Sequence, residues 1–217
     1  LDAFRKLSSL PVFDDFDKMM KQTSPDFLVV ATPTKFHYDM VKLALEKGVH
    51  VFCEKPFCLD PKQAIELEAL AKTKKLVNQV GYHNHFLGTF RELKKVVAQK
   101  AIGEIVHFQG EAYGPVVLKP KGDSWRSKPS DGGGCLFDYA SHVLNLVQGV
   151  LGNTKAVLAS VLKPIHSKSV DDAVYAMLRL DSGLAGTIMV NWSDDTHRKM
   201  TTSITLAGTE GKIYCDA

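Results

Sequence analysis

Two short, almost wholly apolar runs, residues 27–32 and 49–53, are each followed by a proline, Pro33 and Pro56, and residues 76–82 form a third run of similar length. Helix-length stretches, about 35–47 and 61–73, lie between them. Strand, helix, strand, helix, strand with short links allows only parallel pairing through right-handed crossovers. That is half of a doubly wound sheet, and such sheets take ligands beyond the carboxyl ends of their strands. Here those ends are Ala31-Thr32-Pro33, Glu54-Lys55-Pro56 and Tyr82-His83-Asn84. A continuous apolar strand such as 27–32 is expected to be buried on both faces.

Local punctuation supports this division. Gly48 stands where a glycine closes a helix. Asp60-Pro61 opens the next one, with an N-cap carboxylate and a proline in the first turn. After about residue 84 the pattern changes. A helix over 89–100 and a strand over 104–113 precede a loop rich in Gly, Pro and Lys. A long helix over 136–151 comes next. Strand-like runs then accumulate over 156–162, 173–180, 184–192, 201–206 and 212–215, with Asp181-Ser182-Gly183 as a hairpin-type link. Consecutive strands with short turns imply a mostly antiparallel sheet. The expected domains are 1–84, α/β, and 85–217, α+β on a large open sheet.

Composition narrows the class. The 217 residues are 45% hydrophobic and 24% charged, with a net charge of +3. That balance suits a globular protein, and it gives no electrostatic footprint for nucleic acid or an anionic membrane. No apolar run approaches the ~20 residues of a membrane span. The opening Leu1-Asp2-Ala3-Phe4-Arg5 has no secretory pattern and no initiating Met, so a start upstream of Leu1 is expected. Cys53, Cys58, Cys135 and Cys215 form no C-x-x-C pair, which fits a reducing cytoplasm and no metal site.

The candidate chemistry sits in three places. Lys55 ends a strand, where its ammonium can orient a hydroxyl or stabilise an alkoxide, and the Lys55-Pro56 bond is a candidate for the cis isomer. On the helix after Gly132-Gly133-Gly134, Asp138, His142 and Asn145 share one side at i, i+4 and i+7. A carboxylate that holds one imidazole nitrogen leaves the other as a base. A plain amphipathic helix would instead put these residues on its solvated face. The glycines let backbone pass close to a ligand at the helix start, where free N–H groups point outward. His83 and His85 fall on one face if the third strand continues through them. Trp125-Arg126 could stack on and contact an anion.

In order and spacing, Ala31-Thr32-Pro33 with His37, Gly48, His50-Val51, Glu54-Lys55-Pro56, Ile102-Gly103-Glu104-Ile105, Trp125-Arg126, Gly132-Gly133-Gly134 and Asp138-x-x-x-His142 resemble the glucose–fructose oxidoreductase, inositol dehydrogenase and MocA family. The resemblance implies a partial Rossmann-type domain followed by a domain on a large open sheet. It also implies NAD- or NADP-dependent oxidation of a sugar, inositol or nucleotide-sugar, and dimers or tetramers formed through the sheet. Lys55, Asp138 and His142 take the catalytic positions. Ala31, Thr32, Pro33, His37, Glu54, Lys55, Pro56, Trp125 and Arg126 take the cofactor side, and Tyr82, Asn84, His85 and Asn145 the substrate side. His85 stands where many members carry arginine, and Asn145 where aspartate is frequent. No G-x-G-x-x-G turn occurs in the chain, so it is expected to begin after the family's first strand, helix and strand, and to stop short of the family's usual end. The alternative function is a non-catalytic sensor of the same fold that binds nicotinamide or sugar.

Overall fold

The computed structural model describes residue 6 and residues 9–118 and 124–217. The expectations for residues 1–5 and for the loop segment 119–123 lie outside the described residues. The chain divides into two compact units, Leu1–Gly81 and Tyr82–Ala217.

In the first unit α1 (Phe16–Thr23) precedes β1 (Phe27–Val30), α2 (His37–Glu46), β2 (His50–Cys53), α3 (Pro61–Lys74) and β3 (Asn78–Val80). The three strands pair in parallel in the order β1-β2-β3, with Val30 beside Cys53 and Cys53 beside Val80. The Asp60 carboxylate accepts from the Lys62 amide at 2.8 Å and caps α3. Gly48 ends the turn after α2 at φ +82°, a region that favours glycine.

One expectation fails here. β1 is not buried on both faces: Leu28 and Val30 are buried, while Phe27 and Val29 are 53% and 58% exposed. Successive right-handed crossovers carry α2 and α3 to the same side of the sheet. Val41, Leu45, Leu67 and Ala71 therefore pack on Leu28, Val30, Val51 and Cys53 alone.

The second unit opens with a single 3₁₀ turn over His83–Phe86, followed by α4 (Gly88–Ala98) and β4 (Ile105–Tyr113). The expected long helix begins as one π turn, Leu136–Ala140, and becomes α5 over Ser141–Leu151. β5 (Thr154–Lys163), β6 (Ala173–Leu180), β7 (Ala185–Asn191), β8 (Thr201–Gly208) and β9 (Lys212–Asp216) follow. They form a six-stranded sheet in the order β5-β6-β7-β4-β8-β9. β4 lies in the middle, parallel to β7 and antiparallel to β8, so the sheet is mostly antiparallel, as expected.

One face of this sheet is the core. Phe108, Leu178, Ile188, Val190, Ile204 and Leu206 meet Phe90 and Leu93 of α4 and Val143, Leu146 and Val147 of α5. Gly110 lets α5 lie close: a Cβ there would stand 2.6 Å from the Val143 side chain. The other face is open, with Val161 of β5 beside Tyr175 of β6 and Tyr175 beside Met189 of β7. Among the described residues no helix is long and apolar enough to cross a membrane.

Candidate active site

In the first unit the strand ladder runs on into the proline turns. The Glu54 amide donates to the Val30 carbonyl at 2.8 Å, and the Gly81 amide donates to Cys53 at 2.8 Å. The ends of β1, β2 and β3 are thereby held side by side. The Lys55-Pro56 bond is cis. Ala31 is exposed, Thr32, Pro33, Glu54 and Lys55 are half-buried, and Pro56 is buried. A Cβ at Gly81 would stand 3.3 Å from the Glu54 carboxyl group, so a side chain there would press on the turn. His37 is 1% exposed and sits behind these turns, with ring nitrogens 3.0 Å from the Pro56 carbonyl and 2.9 Å from the Thr32 carbonyl.

In the second unit the glycine run does not do what its composition suggests. Gly132, Gly133 and Gly134 donate their amides to the carbonyls of Pro129, Lys128 and Arg126. The Cys135 amide goes to the Asp171 carbonyl at 2.9 Å, and the Leu136 amide to the Asp171 carboxylate at 2.7 Å. The helix start is thus closed by the protein's own acceptors rather than left open to a ligand. The glycines serve a close backbone crossing, since a Cβ at Gly133 or Gly134 would collide with Arg126 or Asp171. The neighbouring Asp172 accepts from the amides of Ile165, His166 and Ser167, from the Ser167 hydroxyl and from the Trp192 indole, all at 2.6–2.7 Å. Burial opposes its charge, but these donors prevail and bring its pKa down to about 2.

Asp138 and His142 are not on a solvated face; each is 3% exposed. A charged carboxylate in such a place needs a partner. Arg126 supplies it, donating from Nε to Asp138 Oδ2 at 2.8 Å. The guanidinium also lies 4.7 Å from the Trp125 ring centroid, so the Trp125-Arg126 pair does stack, and its anion is Asp138. Two aromatic rings flank the His142 imidazole: Tyr82 at 6.0 Å and His83 at 4.9 Å between centroids. Burial raises the Tyr82 phenol pKa, partly offset by its hydrogen bond with Ser141. Neither the His83–His142 contact nor the Arg126–Asp138 pair has any signal in sequence spacing.

His83 and His85 do not share a face. At three residues per turn, positions i and i+2 diverge. His85 turns away to Lys94, whose ammonium is 3.1 Å from Nδ1, and its ring fills the space beside Gly149. Burial and Lys94 lower its pKa, with Asn145 opposing. Asn84 is 2% exposed, and neither its Nδ2 nor the Oδ1 of Asn145 has a hydrogen-bond partner among the described residues. Unsatisfied buried amides of this kind ask for a role beyond packing.

The proline turns of the first unit offer an ammonium, a carboxylate and a hydroxyl from Lys55, Glu54 and Thr32, with a close-packed glycine beside them. That donor set suits a nicotinamide and its ribose. Among the described residues it includes no glycine-rich amide cradle of the kind that holds a pyrophosphate. Among the described residues no three His, Cys, Asp or Glu side chains converge as metal ligands.

Residues 1–82 match the oxidoreductase family model with an NAD-binding Rossmann fold, and residues 90–214 match the GFO/IDH/MocA C-terminal domain. D-glucoside 3-dehydrogenase of Escherichia coli is 33% identical over 147 residues, 68% of this chain and 42% of that protein. Levoglucosan dehydrogenase of Pseudarthrobacter phenanthrenivorans is 28% identical, over 87% of this chain and 55% of that one. A crystal structure of levoglucosan dehydrogenase with NADH and levoglucosan superposes with a TM-score of 0.87 at 26% identity, covering 98% of this chain and 60% of that one. WlbA dehydrogenase of Bordetella pertussis, at 23% identity and a TM-score of 0.90, shares the fold over 100% of this chain and 63% of its own. The chain spans about half the length of the curated relatives it matches. With two domain models matched in order over nearly all its length, the chain belongs to the GFO/IDH/MocA family of NAD-binding oxidoreductases.

Proposed function

We propose that this protein is an NAD- or NADP-dependent oxidoreductase that moves hydride between the nicotinamide and a hydroxyl-bearing carbon of a sugar, inositol or nucleotide-sugar. The observation that carries this reading is the interior placement of His142 one helical turn after an ion-paired Asp138. Packing alone has no use for a buried imidazole four residues after a buried carboxylate; proton transfer does. His142 takes the hydroxyl proton. Asp138 orients and charges its surroundings, and Arg126 keeps Asp138 in place. Lys55 stabilises the oxyanion as the proton leaves. The bound nicotinamide supplies the hydride chemistry. Ala31, Thr32, Pro33, Glu54 and Pro56 line its ring and ribose, with Trp125 on the covering loop, and Tyr82, Asn84, His85 and Asn145 serve the substrate side. The sugar-linked activities of the two dehydrogenase relatives support the substrate class.

In the same reading residues 1–84 serve the cofactor, and residues 85–217 serve substrate and self-association. The open sheet face, with Tyr175 41% and Met177 46% exposed, pairs with a second copy to make a dimer or tetramer. Four free cysteines fit work in the cytoplasm.

The test is a scan of aldoses, glycosides, inositols and nucleotide-sugars with NAD+ and NADP+, read at the nicotinamide absorbance. Turnover of one class is expected. Saturable NADH binding without turnover of any would make the protein a sensor.

A further inference from the structure

We infer that His37 is a positioning residue that works as an imidazolium, clasping the two proline turns through both ring nitrogens. The inference rests on the reading that these turns hold the nicotinamide end of the cofactor. His37 is 1% exposed, with Nδ1 3.0 Å from the Pro56 carbonyl oxygen and Nε2 2.9 Å from that of Thr32. Carbonyl oxygens only accept. A neutral imidazole has one N–H and one lone pair, so either tautomer sets a lone pair against a carbonyl oxygen at one end. In a buried site that mismatch is costly, because no water relieves it. Only the ring with two N–H groups satisfies both contacts.

The sequence explains why a side chain does this work. Pro33 and Pro56 have no amide hydrogen, so the backbone cannot stitch the two turns together at those positions. His37 reaches both from the first turn of α2, just after the 3₁₀ turn Thr34–Phe36. The charged residues of its own segment are Lys35, Asp39, Lys42 and Glu46, those of the turn it holds are Glu54 and Lys55, and Tyr38, Cys53 and Cys58 are the further titratable groups on these elements. Through Pro56 the clasp fixes Lys55, and through Thr32 it fixes the Thr32-Pro33 turn. The two present themselves to the cofactor as one wall, with His37 itself buried behind it. A charged donor also makes the stronger hydrogen bonds at both ends.

The experiment is nitrogen NMR of the histidine rings in the full-length protein, with NADH binding followed by fluorescence. Both ring nitrogens of His37 are expected to carry protons, as its two carbonyl contacts require; one bare nitrogen would overturn the imidazolium. His37→Gln can donate from one atom only and is expected to weaken NADH binding about tenfold. His50→Gln, outside the clasp, is expected to leave it unchanged. Two protons on His37 with unaltered NADH binding in His37→Gln would overturn the positioning role. Should that variant not fold, the wild type decides: through-bond couplings from both ring N–H groups of His37 to the Thr32 and Pro56 carbonyl carbons must be present, and their absence at either carbonyl counts against the clasp. Wild-type protein that binds no NADH at all sinks the cofactor reading, while the ring nitrogens still report on His37.

Discussion

Asp138 Oδ2 accepts from Arg126 Nε at 2.8 Å, which joins a carboxylate in the interior to a guanidinium that is one-third exposed on the preceding loop. Leaving such a carboxylate without its cation is destabilising, though the solvent reaching Arg126 softens the loss. Arg126→Ala should lower unfolding free energy by about 2 kcal/mol. Arg126→Lys should recover part of it, because a lysine supplies charge without the flat stacking surface over Trp125. Urea denaturation of the three proteins measures this, and an unchanged midpoint in Arg126→Ala would mean the pair contributes nothing.

His142→Ala should lower turnover by about 10²–10⁴-fold and leave NADH affinity within about threefold, since a general base acts on the chemical step. The helix should persist, because Val143, Leu146 and Val147 supply its packing. Near-native turnover would reduce His142 to a core histidine.

Lys55 gives a different signature. Its side chain stands on a half-buried turn and fills no part of the core. Lys55→Ala should therefore depress kcat by about 10²-fold or more while the thermal midpoint moves by only a few degrees. Loss of folding with full activity per folded molecule would make Lys55 structural.

Asp172 links stability to acid. Its pKa falls from the ordinary 3.8 to about 2 in the fold. A lowered carboxylate contributes stability above its unfolded value and loses that contribution as pH drops through its folded one. The contribution is about 2 kcal/mol, present at neutral pH and lost between about pH 4 and pH 2. Asp172→Asn should unfold at lower urea at pH 7, and its disadvantage should shrink across that acid window. A constant difference at all pH values would assign the effect to packing around Trp192.

The open sheet face is the place to break an assembly. Tyr175 and Met177 project from β6 away from the core, and Met177→Glu sets charge into the proposed contact. Light scattering should show the wild type as a dimer or tetramer and Met177→Glu as a monomer with unchanged circular dichroism. A monomeric wild type would remove the proposal.

The legible part of the site was the part written locally. Asp138 and His142 at i, i+4, and the two proline turns, follow from spacing and from what proline forbids. His83 reads in sequence as a neighbour of His85, because its contact is edge-on to His142, on a segment more than fifty residues away. The glycine run was misread for the same reason. Three glycines signal a close approach, and nothing in the run says that the approaching group is the chain's own Asp171 rather than a ligand.

By itself the sequence determined the parallel α/β half, because hydrophobic runs, helix caps and proline stops act over a few residues and short links permit only one handedness of crossover. It also determined the succession of strands in the second half. Tertiary structure alone decided that β4 enters between β7 and β8, that Phe27 and Val29 lie bare while Asp138 and His142 are covered, and that Arg126 meets Asp138. Periodicity says which side chains share a face. What covers that face depends on elements distant in the chain, and only packing brings them there.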